Sequence, residues 1–126
     1  CPAGPAMLDE FETIRSNLGD DAYLVDFVFV TLDPEHDTQE RLKEALAAVD
    51  PTFIGLRGTA EQTTQAHDAY GLTVERTGEA TPSTGCQFDY EPRIYLIDKE
   101  GRLRVTYLPG TDPLKVAPDI VHLARQ

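Results

Sequence analysis

Two sulfur atoms carry the chemistry open to this chain, those of Cys1 and Cys86. Behind Cys1-Pro2, apolar residues recur at Met7, Phe11, Ile14 and Leu18, the spacing of one helix face. A cysteine at a helix N-terminus feels the positive end of the backbone dipole, which stabilises the thiolate and lowers the thiol pKa. Thiolate is the form that attacks disulfides and binds soft metals. Pro2 and Pro5 work against this, because a helix that starts at Pro5 leaves Cys1 a turn outside it. Cys86 lies in a polar stretch and reads either as a small buried hydrophobe or as a functional thiol. His36, His67 and His122 have no ligand spacing to one another or to a cysteine, so they read as solvent-facing or structural. Asp33, Glu35 and Asp37 form a carboxylate cluster that turn and capping roles account for. Asp89 and Glu91 have the spacing of an acid/base pair, but nothing else in the chain points to hydrolysis.

Positioning these residues falls to an alternation of helices and strands. The first helix is expected over Pro5 to Leu18, with Gly19 as its stop signal. Tyr23 to Thr31 is aromatic and β-branched and reads as a buried strand. A turn through Asp33-Pro34 leads to a second helix, with Asp37 and Glu40 as a capping box and Leu42, Ala45, Leu46 and Val49 as its buried stripe. Asp50-Pro51 ends it. A short strand over Phe53 to Leu56 precedes a third helix, opened by Thr59 with Gln62 and stopped at Gly71. From Leu72 to Tyr90 the period is lost, which predicts a long loop or irregular hairpin around Cys86. Arg93–Ile97 and Leu103–Tyr107 flank the turn Asp98-Lys99-Glu100-Gly101 as a hairpin. Asp112-Pro113 opens the last helix, and Pro118 is expected to kink or restart it.

With 126 residues, 40% hydrophobic and 26% charged, the chain suits one α/β domain with a layered core. A net charge of −11 argues against nucleic acid, whose phosphates need a basic face, and suits a basic protein partner. No apolar run reaches membrane-span length. Two cysteines are too few for a disulfide framework and leave the compartment open.

Four stretches together resemble the Sco/SenC family, thioredoxin-like proteins that assemble the binuclear copper centre of cytochrome c oxidase. They are Cys1-Pro2 before a helix, Phe-Val-Thr-Leu-Asp-Pro-Glu-His-Asp-Thr over Phe29–Thr38, Gly-Leu-Arg-Gly-Thr over Gly55–Thr59, and Ile-Tyr-Leu-Ile-Asp-Lys-Glu-Gly over Ile94–Gly101. The Asp-Pro-Glu-x-Asp-Thr run is the most specific. The resemblance implies a thioredoxin-like fold over residues 1–126, a single domain with a central sheet and helices on both faces. Such a sheet needs a central strand just before the cysteine helix. The expectation is therefore a chain truncated at its N-terminus, or a sheet completed by another segment.

The family motif is Cys-x-x-x-Cys-Pro with a distant histidine, and copper sits between the three. By distance to Asp33-Pro34, Cys1 resembles the second of those cysteines, which places the first upstream. Reading it as the first cysteine puts Pro5 where the second belongs. The family's Asp-His pair reads Asp89-Tyr90 here, and a phenol with a pKa near 10 is a poor donor to Cu(I). The copper site is thus expected to be incomplete, with Cys1 and Cys86 as candidate metal ligands. The same two are the candidate redox pair, Cys86 or the upstream cysteine resolving. Pro92 stands where redox-active thioredoxins place a cis-proline beside the reactive sulfur.

The resemblance implies oxidase assembly, and Tyr90 shifts the expectation from copper carriage towards thiol–disulfide exchange with an oxidase subunit or a thiol-redox partner. The alternatives are a copper chaperone using Cys1, an upstream cysteine and Cys86, and a redox-inactive domain that docks a partner. The resemblance also implies work outside the cytoplasm, on a membrane tether that this chain does not contain.

Overall fold

A computed structural model describes residues 3–78 and 88–126. In chain order its elements are α1 (Ala3–Leu18), β1 (Val28–Val30), α2 (Gln39–Val49), β2 (Ile54–Leu56), α3 (Ala60–Ala69), β3 (Val74–Arg76), β4 (Phe88–Tyr90), β5 (Ile94–Ile97), β6 (Leu103–Tyr107) and α4 (Pro113–Ala124). They divide between two compact units. Phe27–Glu91, with the first residues of α1, makes one; Ala6–Asp26 with Pro92–Gln126 makes the other.

In the first unit β1 and β2 are parallel, with Val28 opposite Ile54 and Val30 opposite Leu56. The amide of Ile54 donates to the Phe27 carbonyl and that of Thr31 to the Leu56 carbonyl. The alternation of a parallel ladder therefore turns the backbone groups of Val28 and Val30 to the other edge. No strand pairs with that edge among the described residues. α2 covers one face of the pair. Leu42 and Leu46 are buried, and a Cβ built on Gly55 would stand 2.7 Å from atoms of both. Glycine suits this position because even a methyl group would press on the two leucine side chains and force them to shift. Beside them the Phe27 and Phe53 rings pack with centroids 5.5 Å apart, tilted by 39°.

The strand expected from Tyr23 to Thr31 is shorter than its composition suggests. Gly19 adopts φ 56°, and a 3-10 turn then runs over Gly19–Leu24. Extended pairing begins only where β2 supplies partners, so propensity yields to the ladder. The second helix is capped by Thr38, whose hydroxyl accepts from the Arg41 amide, and not by Asp37. The Asp37 carboxylate is already engaged by the Thr31 hydroxyl, 2.5 Å away. The capping box of Thr59 and Gln62 on α3 is present as read, with both reciprocal bonds made. The irregular stretch before Tyr90 contains an antiparallel pair, β3 with β4, in which Val74 faces Tyr90.

In the second unit β5 and β6 form the expected hairpin, with a register shift between Leu96 and Ile97. Its turn closes on Asp98, whose side chain is only 2% exposed. The carboxylate accepts from the amides of Glu100 and Arg102 at 3.0 and 2.9 Å, and from the Arg102 and Arg104 guanidinium groups at 3.2 Å each. The Arg102 amide is the largest of these influences, and together they hold the carboxyl at about 2, below its usual 3.8. A depressed carboxyl contributes stability that is complete above its unfolded value and lost as pH falls through the folded one. Between about pH 4 and 2, Asp98→Asn should flatten acid unfolding followed by circular dichroism, while the native chain loses stability steeply.

α4 is continuous, so Pro118 neither breaks nor restarts it. The carbonyl that Pro118 leaves without a partner belongs to Leu114, which is 70% exposed and open to water. Buried Val116, Ala117, Ile120 and Leu123 anchor the helix on either side of the proline. Leu8, Ile14 and Leu18 form the buried stripe of α1, with Met7 only partly covered beside it. Tyr107 on β6 donates to Asp119 on α4 at 2.6 Å; burial first, then this carboxylate, pushes its phenol pKa up.

Candidate functional site

Cys1 and Cys86, assigned from the sequence as redox pair and metal ligands, lie outside the described residues. Tyr90, which the resemblance places at the position of the family's histidine, is described. It ends β4, is partly buried, and desolvation raises its phenol pKa above the ordinary 10. At neutral pH it is an uncharged hydroxyl, a poorer partner for Cu(I) than an imidazole. Among the described residues no three His, Cys, Asp or Glu side chains converge as a metal site. This described part of the donor set does not fit copper.

Pro92 does not carry the cis bond expected of it. The Glu91–Pro92 peptide is trans, as is every described peptide bond. Trans is the cheaper form even before proline, by about 0.5–1 kcal/mol, and prevails unless the surroundings impose the other.

The ordered polar centre of the first unit lies past the C-terminal ends of β1 and β2, the end of a parallel sheet where α/β proteins place their sites. Thr31 is 1% exposed and Asp33 5%. The Thr31 hydroxyl donates to Asp37 and accepts from the Asp33 amide at 3.1 Å. The Asp33 carbonyl accepts from the amides of His36 and Asp37 at 3.2 and 2.8 Å, closing the loop on itself. His36 Nδ1 lies 2.8 Å from Asp33 Oδ2, while Asp33 Oδ1 is buried without a hydrogen-bond partner. Arg57, just after β2, clamps the loop: its Nε donates to the carbonyls of Pro34 and Asp37 at 2.9 Å each, and its Nη2 to Pro34 at 2.5 Å. Two of the stretches that carry the family resemblance are thus one structure.

In the sequence Asp33 and Asp37 read as turn and cap residues, and neither the Arg57 clamp nor the Asp33–His36 pair is legible there. The three-residue spacing of Asp33 and His36 within a turn is the available signal; nothing local marks Arg57, which reaches back 20 residues to Asp37 and 23 to Pro34. The other histidines stay apart. His67 on α3 has a buried Nε2 without a hydrogen-bond partner, and burial lowers its pKa against the opposing charge of Asp68. His122 on α4 lies 3.3 Å from the Gln126 amide.

This order of elements and parallel pair define a thioredoxin-like protein, and solved structures bear this out. Bradyrhizobium japonicum ScoI with copper bound superposes with a TM-score of 0.81 at 27% identity, over 98% of this chain and 78% of that one. Apo Sco1 from Thermus thermophilus does so with the same score and identity, over 98% and 73%. The SCO1/SenC family model matches residues 1–125, and the chain belongs to that family. Among curated relatives, an SCO2-like protein of Rickettsia bellii is 33% identical over 82% of this chain and 52% of its own length. Protein SCO2 of Saccharomyces cerevisiae mitochondria is 31% identical over 78% of this chain and 33% of its own. The chain spans about half the length, or less, of the curated relatives it matches.

Proposed function

We propose that this protein serves cytochrome c oxidase assembly by thiol–disulfide exchange, outside the cytoplasm and on a membrane tether. Family membership supports the assembly role, and Tyr90 in the histidine position carries the choice of chemistry. The Cys1 thiolate attacks a partner's disulfide: that S–S bond breaks, a mixed disulfide forms, and the partner's released sulfur takes up a proton. A second thiol, Cys86 or a cysteine preceding Cys1, gives up its proton and displaces the partner's other sulfur. Two electrons pass to the partner, which leaves as a dithiol, and this protein is left with the disulfide. The acidic surface suits a basic docking face.

Copper carriage is the second reading, supported by the copper-bound ScoI relative. Trapping separates the thiols. With an oxidised dithiol peptide, reduction should stop in Cys1→Ser, and Cys86→Ser should accumulate a mixed disulfide visible by mass spectrometry if Cys86 resolves. Undiminished reduction by Cys1→Ser would remove the thiol-exchange reading.

A further inference from the structure

We propose that Asp33 and His36 form a proton-operated latch on the Asp33–Asp37 loop, closed when the imidazole is protonated. Asp33 is buried, with one carboxylate oxygen unpartnered and the other 2.8 Å from His36 Nδ1. Among the described residues His36 is the one side chain that reaches this carboxylate, so compensation of a buried negative charge depends on one ring. The His36 side chain is 42% exposed, which lets the ring exchange protons with solvent.

The neutral ring can already donate to the carboxylate, and an imidazolium adds a full opposite charge to that bond, so protonation strengthens it. Histidine changes charge near pH 6.5, so the bond weakens as pH rises through that range. Among the described residues, the other charged groups around the pair are engaged elsewhere or exposed. Asp37 is held by the Thr31 hydroxyl, and Arg57 turns its Nε and Nη2 to the carbonyls of Pro34 and Asp37. Glu35 in the loop is exposed, as are Glu40 and Arg41 in the first turn of α2. Arg57 opposes protonation of His36 and the carboxylates favour it; direct contact with Asp33 decides the sign. The amides of His36 and Asp37, both bonded to the Asp33 carbonyl, report whether the loop is closed.

The test is hydrogen exchange of those two amides by NMR at pH 5.5 and 8, corrected for intrinsic exchange rates. In the native chain their protection should fall by up to about fivefold at the higher pH, the loss of the ion-pair contribution of a part-exposed histidine. His36→Gln should show the lower protection at both values, and His36→Arg, a permanent cation, the higher. Protection independent of pH in the native chain, or the same pH dependence in His36→Gln, would overturn the latch. All three chains keep Asp33, so failure of an Asp33→Asn variant to fold would not remove the test.

Discussion

Tyr90→His should raise the affinity for Cu(I) by at least about tenfold, a gain of about 1.4 kcal/mol, in a competition titration against a chromophoric chelator. The exchange replaces a half-buried neutral phenol, whose ionisation burial makes harder still, with an imidazole that Cu(I) accepts as a ligand. β4 fixes the position: Tyr90 faces Val74 across an antiparallel pair, so the new side chain starts from the same strand register. The same titration on Cys1→Ser and Cys86→Ser in the Tyr90→His background identifies the sulfur donors, because each lost thiolate should undo the gain. If native protein and Tyr90→His bind equally tightly, position 90 lies outside any copper site. Tight native binding that disappears in Cys1→Ser would instead favour copper carriage over thiol exchange.

The α/β alternation was legible because its signals are local. Thr59 and Gln62 are three residues apart and cap α3 as their spacing demands. Asp98 and Gly101 set the hairpin turn within four residues, Gly101 taking a φ of 81°. Misreadings arose where a distant partner decides the outcome. Asp37 has the right spacing to cap α2 but is claimed by Thr31, at the end of a strand that exists only because β2 lies beside it. Tyr23 and Leu24 have strand composition yet lie in a 3-10 turn, since β2 offers them no ladder. Pro118 is tolerated because the burial pattern of α4 anchors both sides of it and Leu114 faces water. The site was half legible. The Asp89-Tyr90 pair can be set against the family motif in the bare sequence, whereas the clamp of Arg57 on the loop needs two segments brought together by the parallel pair.

That parallel pair depends on its contact with α2, and the contact predicts the largest loss of stability. Leu46 is 2% exposed and lies over Gly55, so Leu46→Ala removes buried methyl groups at a point where the backbone of β2 already touches the helix. The expected cost is about 2–5 kcal/mol, read as a lower urea midpoint with an unchanged slope. Gly55→Ala fails for the opposite reason. Its new methyl would sit 2.7 Å from both Leu42 Cγ and Leu46 Cδ1, closer than packed carbons allow, and overpacking of this kind costs about 1–3 kcal/mol. Because the two changes act on the same space, they should not add. The alanine methyl at position 55 occupies part of the cavity that Leu46→Ala opens, so the double variant should be more stable than the sum of the single losses. Leu42 limits the recovery, since it still meets the new methyl from its own side. Strict additivity in the urea midpoints would mean that α2 and β2 do not share this contact in solution.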